Sequence, residues 1–179
     1  MIAKSLIKLI DEAIIPATAL IVGKMIGLLA ASYFFNLSFS IKNRGLLGLL
    51  PSVQFANLHD YILAENYSNL AMFLIASLGT IFVLIKAHFF HESHIHPTLH
   101  AKLLRLNLES LVAPSYHLYH QAAIWLTFLW LTVGFLVIST LLQVTYPQIT
   151  IIAFVVAANF SWIFAVDVER EIEISKNNF

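Results

Sequence analysis

Apolar residues in this chain occur in four long runs that are separated by shorter polar stretches. A membrane-spanning helix needs about 20 mostly apolar residues, and residues 13–35, 69–90, 122–142 and 149–166 meet that requirement. Each run must be helical, because lipid offers the backbone no hydrogen-bonding partner. The pattern therefore predicts an all-α integral membrane protein with four transmembrane helices, forming one polytopic domain over residues 1–179.

A further helix is predicted at residues 97–112, between the second and third spans, with Pro97 at its start. Lys102, Arg105 and Glu109 gather in one narrow stripe on the helical wheel, whereas leucines cover most of the remaining circumference. So wide an apolar face would not remain in water. We expect this amphipathic helix to lie in the cytoplasmic membrane interface or against a partner subunit.

The segments that flank the first span are also partly apolar. Residues 1–13 form a short amphipathic stretch, and Pro16 is expected to bend it into the first span. The loop at residues 36–68 contains the sequence "GLLGLLPSV", which favours contact with lipid headgroups.

Composition supports a membrane protein and excludes several other classes. Hydrophobic residues make up 59% of the chain and charged residues 11%, with a mean hydropathy of +0.82, whereas soluble domains are about 25% charged. The net charge is zero, so we expect no nucleic-acid partner. The absence of cysteine excludes disulfides, thiolate metal sites and thiol catalysis. We expect no cleavable signal peptide, since the first apolar run is long.

Basic residues predict the orientation of the four spans. With four spans, both termini and the loop between the second and third spans share one side. The basic residues on that side are Lys4, Lys8, Lys86, Lys102, Arg105, Arg170 and Lys176. The other side has only Lys42 and Arg44. The positive-inside rule then places both termini in the cytoplasm of a bacterial-type inner membrane.

Histidines crowd together after the second span, where "HFFHESHIHPTLH" contains five of the chain's eight. Neutral imidazole is the commonest metal ligand and binds Zn, Cu, Ni and Fe. The candidate metal ligands are His91, His94, His96, His100, His117 and His120. A polar loop with hydrogen-bonded imidazoles explains the same pattern, because no known ligand spacing is matched. A bound transition metal therefore remains one of two interpretations.

Two redox interpretations use some of the same histidines. Haem b between antiparallel helices needs facing ligands, and only His88 and His120, near the ends of the second and third spans, fit that arrangement. The layout of four spans with cytoplasmic histidines also loosely resembles the membrane fatty-acid desaturases and hydroxylases, which implies a di-iron oxygenase. The His-x-x-His-His box of that family is absent, and no histidine follows the fourth span.

Lys24 stands at the midpoint of the first span, where an ionisable side chain costs roughly 2.5–3.5 kcal/mol. Two interpretations are open: the ammonium is paired at a polar site, or its long stem extends outward to the membrane surface. No predicted span contains a carboxylate at this depth. Asn159, in the fourth span, is the best partner within the chain, and the missing counter-ion suggests one in another subunit.

Small residues recur beside Lys24 at intervals of four, at Ala19, Gly23, Gly27 and Ala31. Such a ridge lets another helix approach closely. The ridge, Lys24 and the amphipathic helix together favour a non-catalytic subunit, structural, assembling or anchoring, of a larger inner-membrane complex that contacts the bilayer and other membrane subunits. The alternatives are a metal- or haem-binding membrane protein and a small oligomeric channel or transporter with Lys24 lining an anion path.

Overall fold

The computed structural model describes residues 2–42, 52–90, 95–108, 112 and 114–177. These ranges contain five helices and two strands: α1 (Ile2–Phe34), β1 (Phe39–Lys42), β2 (Ser52–Phe55), α2 (Leu58–Phe89), α3 (Pro97–Arg105), α4 (Ser115–Leu141) and α5 (Pro147–Asn177). Four helices are long and apolar enough to cross a membrane, over Ile10–Phe34, Leu58–Phe89, Ser115–Leu141 and Pro147–Ile174. The prediction of four such helices is confirmed.

The long helices run alternately up and down. In α1 and α2, Gly23 lies opposite Ile75 and Gly27 opposite Ala71, so these two helices are antiparallel. α4 and α5 form a second antiparallel pair, in which Trp130 donates a hydrogen bond to Ser161. Because α1 and α4 begin, and α2 and α5 end, at the same end of the bundle, one end collects the side chains of Glu12, His88, His120 and Asp167. We call it the histidine end, and the opposite end the hairpin end.

The described part of the loop predicted at residues 36–68 contains two strands and the start of α2, which corrects that prediction. β1 and β2 form an antiparallel ribbon in which Phe39 is opposite Phe55. α2 then begins at Leu58, eleven residues before the predicted span. Asn57 caps it by accepting a hydrogen bond from the backbone N–H of Asp60, 2.7 Å away. The polar residues of these first turns lower the local hydropathy, so apolar runs alone do not reveal this part of the helix. Most of "GLLGLLPSV" lies outside the described residues.

The α1–α2 pair extends past the α4–α5 turn at the hairpin end. Thr145 of that turn contacts Asn69 of α2. α2 begins at Leu58, eleven residues before Asn69. At 1.5 Å per residue, about 16 Å of α2 projects beyond the turn. Asn66 and Asn69 of α2 therefore contact the tip of the shorter hairpin.

The core lies where α2, α4 and α5 meet. Leu129, Leu136, Ala153 and Ala157 are fully buried there. Nearer the histidine end, a Cβ atom at Gly79 of α2 would overlap the indole ring of Trp125 of α4. A glycine at this position thus lets the side chain of Trp125 approach the α2 backbone closely.

Three helices end in the same way, with one residue in the left-handed region. Asn36, Asn107 and Gln143 have φ of 50°, 54° and 60°. In each case the next residue's N–H bonds to a carbonyl five residues earlier, as in a Schellman motif. This motif ends α3 at Arg105, so α3 is shorter than the predicted helix at 97–112. Residues 109–111 and 113 lie outside the described residues.

α1 includes the segment before the predicted first span, and the bend expected at Pro16 stays a prediction. The helix is continuous from Ile2 to Phe34 and contains Pro16 in its interior. The short amphipathic stretch and the first span are therefore one helix. Pro16 is buried against the rest of the bundle. Because proline has no backbone N–H, it cannot donate the helical hydrogen bond to the carbonyl of Glu12.

Candidate functional site

Lys24 is paired within its own chain. Its Nζ lies 2.5 Å from Oε1 of Glu65 and donates a second hydrogen bond to Oδ1 of Asn69 at 3.2 Å. The expectations that Asn159 is its best partner and that its counter-ion lies in another subunit are therefore wrong. Both failed because α2 begins before the predicted span, which brings Glu65 and Asn69 onto one helical face at spacing i,i+4.

The position of Lys24 combines both of the interpretations left open by the sequence. Its backbone carbonyl accepts a hydrogen bond from Ser68 at 2.7 Å, yet its ammonium reaches Glu65, which lies closer to the hairpin end of α2. The stem therefore runs toward the hairpin end, and the charge is also neutralised there. The side chain of Glu65 is 15% exposed and that of Lys24 41%.

A chain of amide and hydroxyl groups continues from this pair to the α4–α5 turn. Asn69 donates to Oγ1 of Thr145 at 2.7 Å, and Asn66 accepts from the backbone N–H of Tyr146 at 2.6 Å. Asn66, Ser68 and Asn69 are fully buried. Each of these three side chains thus has a hydrogen-bonding partner, as a low-dielectric interior requires. We call Lys24, Glu65, Asn66, Ser68, Asn69 and Thr145 the polar cluster. It ties α1, α2 and the turn together.

The ridge of small residues on α1 packs against α2. A Cβ at Gly27 would lie 2.6 Å from Cβ of Ala71 and 2.8 Å from Cα of Ser68. Ala31 is buried, whereas Ala19 is half-buried. The ridge is therefore a helix–helix contact, as predicted, but its partner is a helix of the same chain. It gives no argument for a second subunit.

At the histidine end, His88 of α2 contacts α5. Its Nδ1 lies 2.7 Å from Oδ1 of Asp167, and the hydroxyl of Tyr119 donates to the other carboxylate oxygen at 3.2 Å. Asp167 thus accepts from two helices at once. A carboxylate in this position holds a proton on Nδ1 and leaves Nε2 as the accessible ring nitrogen. From the sequence, His88 was predicted only as a haem ligand.

His120 of α4 makes a similar contact with α1. Its Nε2 lies 3.3 Å from Oε2 of Glu12, and its ring stacks on Tyr116 with centroids 6.0 Å apart. The two histidines proposed as haem ligands therefore contact carboxylates on two different helices. Together the two pairs join all four long helices at the histidine end.

The remaining candidate histidines take up different positions. His96 caps α3, since its ring nitrogen accepts a hydrogen bond from the N–H of Thr98. His100 lies within α3 and His117 in the first turn of α4. His91 and His94 lie outside the described residues. Among the residues that the structure describes, no three histidine or acidic side chains converge in a metal-binding arrangement. Metal and haem binding remain predictions.

Comparison of the chain with protein families, with curated proteins and with solved structures finds no match. The site must therefore be interpreted from its own geometry. Sequence reasoning missed Glu65 as the counter-ion of Lys24. The available signal was the helix cap at Asn57. It predicts that α2 begins before residue 69 and therefore includes Glu65 and Asn66.

Proposed function

We propose that this chain is a non-catalytic subunit of a larger membrane assembly and that α5 carries its contact with the next subunit. The observation that carries the proposal is Asn159, which lies near the middle of α5 and faces away from the bundle. Its Nδ2 donates to the carbonyl of Val155 at 2.7 Å. The amide oxygen has no partner among the described residues.

An amide that faces hydrocarbon is costly, since lipid cannot hydrogen-bond to it. Polar side chains in transmembrane helices therefore tend to face another helix, where they hydrogen-bond across the contact. α5 has room for such a contact, because only 11% of the residues in its most apolar stretch are buried inside the bundle, against 44% in α2. Trp162, one turn from Asn159, is 73% exposed and adds an aromatic side chain of the kind enriched at interfaces.

The pairing of Lys24 with Glu65 changes the support for the alternatives. An unpaired Lys24 on α1 no longer supports the subunit role. The support for that role is now Asn159 on α5. The anion-path interpretation is weakened, because Glu65 neutralises the positive charge of Lys24 on which it depends.

Asn159→Leu tests the subunit role. Membranes that contain the wild-type chain are extracted in mild detergent, and native mass spectrometry should find the 20.1 kDa chain in a larger, stoichiometric assembly. Asn159→Leu should release the chain from that assembly, because the hydrogen bond across the contact is lost. The thermal unfolding of the released chain should be unchanged or slightly raised, since leucine suits a lipid-facing position.

Ile152→Leu is the matched control, because it conserves volume at another exposed position of α5 and should leave the assembly intact. A monomeric wild-type chain in mild detergent, or an assembly that survives Asn159→Leu with a folded bundle, would contradict the proposed contact.

The proposal includes the orientation predicted from charge. The common position of both termini at the histidine end supports counting their basic residues together, and the excess there favours a cytoplasmic location. In that orientation α3 lies along the cytoplasmic membrane surface, with Lys102 and Arg105 toward water.

Single cysteines test this orientation, because the chain has none of its own. Cysteines are introduced at Ser5, Ser52 and Asn177 in separate variants. An impermeant thiol reagent applied to intact cells should label only position 52, and permeabilised cells should show labelling at all three positions. Labelling at 5 or 177 but not at 52 in intact cells would reverse the orientation.

A further inference from the structure

An apolar groove runs between α2 and α5 and ends at the His88–Asp167 pair. It encloses about 310 Å³, and its apolar walls include Ile81 and Ile85 from α2 and Phe160 and Ile163 from α5. Among the described residues that line it, the polar side chains are those of His88 and Asp167, at the histidine end. From Phe160 to Asp167 the groove extends about 10 Å along α5, at 1.5 Å per residue. We call it the α2–α5 groove.

The polar end of the α2–α5 groove has an unused hydrogen-bonding position. Both oxygens of Asp167 already accept hydrogen bonds, from His88 and from Tyr119. The imidazole is 46% exposed, and Nε2 has no partner among the described residues. Because Asp167 keeps the proton on Nδ1, Nε2 accepts a hydrogen bond when the ring is neutral and donates one when it is charged.

We propose that the α2–α5 groove binds a lipid alcohol, that is, a molecule with a neutral hydroxyl-bearing head and a hydrocarbon chain. A hydroxyl both donates and accepts, so it suits Nε2 in either protonation state. A carboxylate head would stand beside the charge of Asp167, which disfavours it. The chain lies along the apolar walls, as ligand sites with a few polar groups at one end require.

The position of the groove in the bundle fits this class of molecule. His88 is the penultimate residue of α2, so the imidazole lies at the end of a membrane-spanning helix. The head of a lipid alcohol occupies that level of a bilayer, and its chain points toward the interior. The walls at Ile81 and Phe160 lie on the interior side of His88 and Asp167, which is the direction the chain would take.

The test uses three ligands that share one chain: 1-monooleoylglycerol with a hydroxyl head, methyl oleate with none, and oleate with a carboxylate. Each is titrated into the purified full chain in detergent, and binding is followed by native mass spectrometry. Monooleoylglycerol should bind about tenfold more tightly than methyl oleate, the effect of one hydrogen bond. Oleate should bind more weakly than monooleoylglycerol.

Variants then locate the site. His88→Phe keeps an aromatic ring but removes both nitrogens, so the preference for monooleoylglycerol over methyl oleate should disappear. His59→Phe is the matched control, because His59 is exposed at the opposite end of α2, and it should keep the preference. Ile85→Trp fills the groove and should weaken the binding of all three ligands.

Equal affinity of the wild-type chain for monooleoylglycerol and methyl oleate would overturn the proposal and leave ordinary lipid contact only. Tighter binding of oleate would overturn the assignment of a neutral head. Undiminished binding to Ile85→Trp would place the ligand elsewhere. If His88→Phe does not fold, the ligand series on the wild-type chain and on Ile85→Trp still decides the question.

Discussion

Glu65→Gln is expected to lower the free energy of unfolding by about 2–3 kcal/mol, because it leaves the ammonium of Lys24 without its counter-ion inside the membrane. Lys24→Met should also destabilise the bundle, since it leaves the carboxylate of Glu65, which is 15% exposed, without its counter-ion. Unfolding of the purified chain by increasing dodecyl sulfate in mixed micelles, followed by circular dichroism, measures both effects.

The double variant Lys24→Met with Glu65→Met separates the ion pair from general packing. Removing both charges together should recover much of the stability lost in Glu65→Gln, because no buried charge remains unpaired. Lys86→Met is the matched control, since Lys86 lies near the histidine end of α2, and it should change stability by less than about 0.5 kcal/mol. Additive losses in the double variant would contradict a direct pair between Lys24 and Glu65.

Gly27→Ala is expected to destabilise the bundle by about 1–3 kcal/mol, the usual cost of overpacking. The added methyl group would lie 2.8 Å from Cα of Ser68 and 2.9 Å from the carbonyl oxygen of Tyr67. Because both are backbone atoms, only a shift of the whole helix relieves the overlap. The same mixed-micelle unfolding experiment measures the loss.

Two other glycines provide graded controls for Gly27→Ala. A Cβ at Gly23 would meet Cδ1 of Ile75 at 2.7 Å, the far end of a flexible side chain, so Gly23→Ala should cost less. Nothing lies within 4 Å of a Cβ at Gly134, so Gly134→Ala should be neutral or slightly stabilising. Equal effects at Gly27 and Gly134 would show that helix propensity, and not the close approach of α1 and α2, decides the outcome.

The small residues of α1 were recognisable in advance, but their partner was not. A ridge at Ala19, Gly23, Gly27 and Ala31 predicts close approach to some helix. It does not say which helix, because any chain in the membrane can supply the opposing surface. The structure assigns the contact to α2, which moves the evidence for a second subunit to Asn159 on α5.

The partners of the histidines could not be predicted from the sequence either. Counting histidines drew attention to residues 88–100, yet the closest contacts of His88 and His120 are with Asp167 and Glu12. The acidic partners stand in helices far along the chain. Nothing local in the sequence shows that α2 ends beside Asp167.

Four helices that are long and apolar enough to cross a membrane could be predicted from the sequence, because an apolar run of about 20 residues is recognised without tertiary information. The small-residue ridge of α1 and the position of Lys24 could be predicted in the same way. The side-chain pairs could not, because they form between distant parts of the chain. Lys24 and Glu65 are 41 residues apart, and His88 and Asp167 are 79. Whether such side chains meet depends on the register between helices, which the packing of Gly27 on Ala71 and of Trp125 on Gly79 sets across the whole bundle.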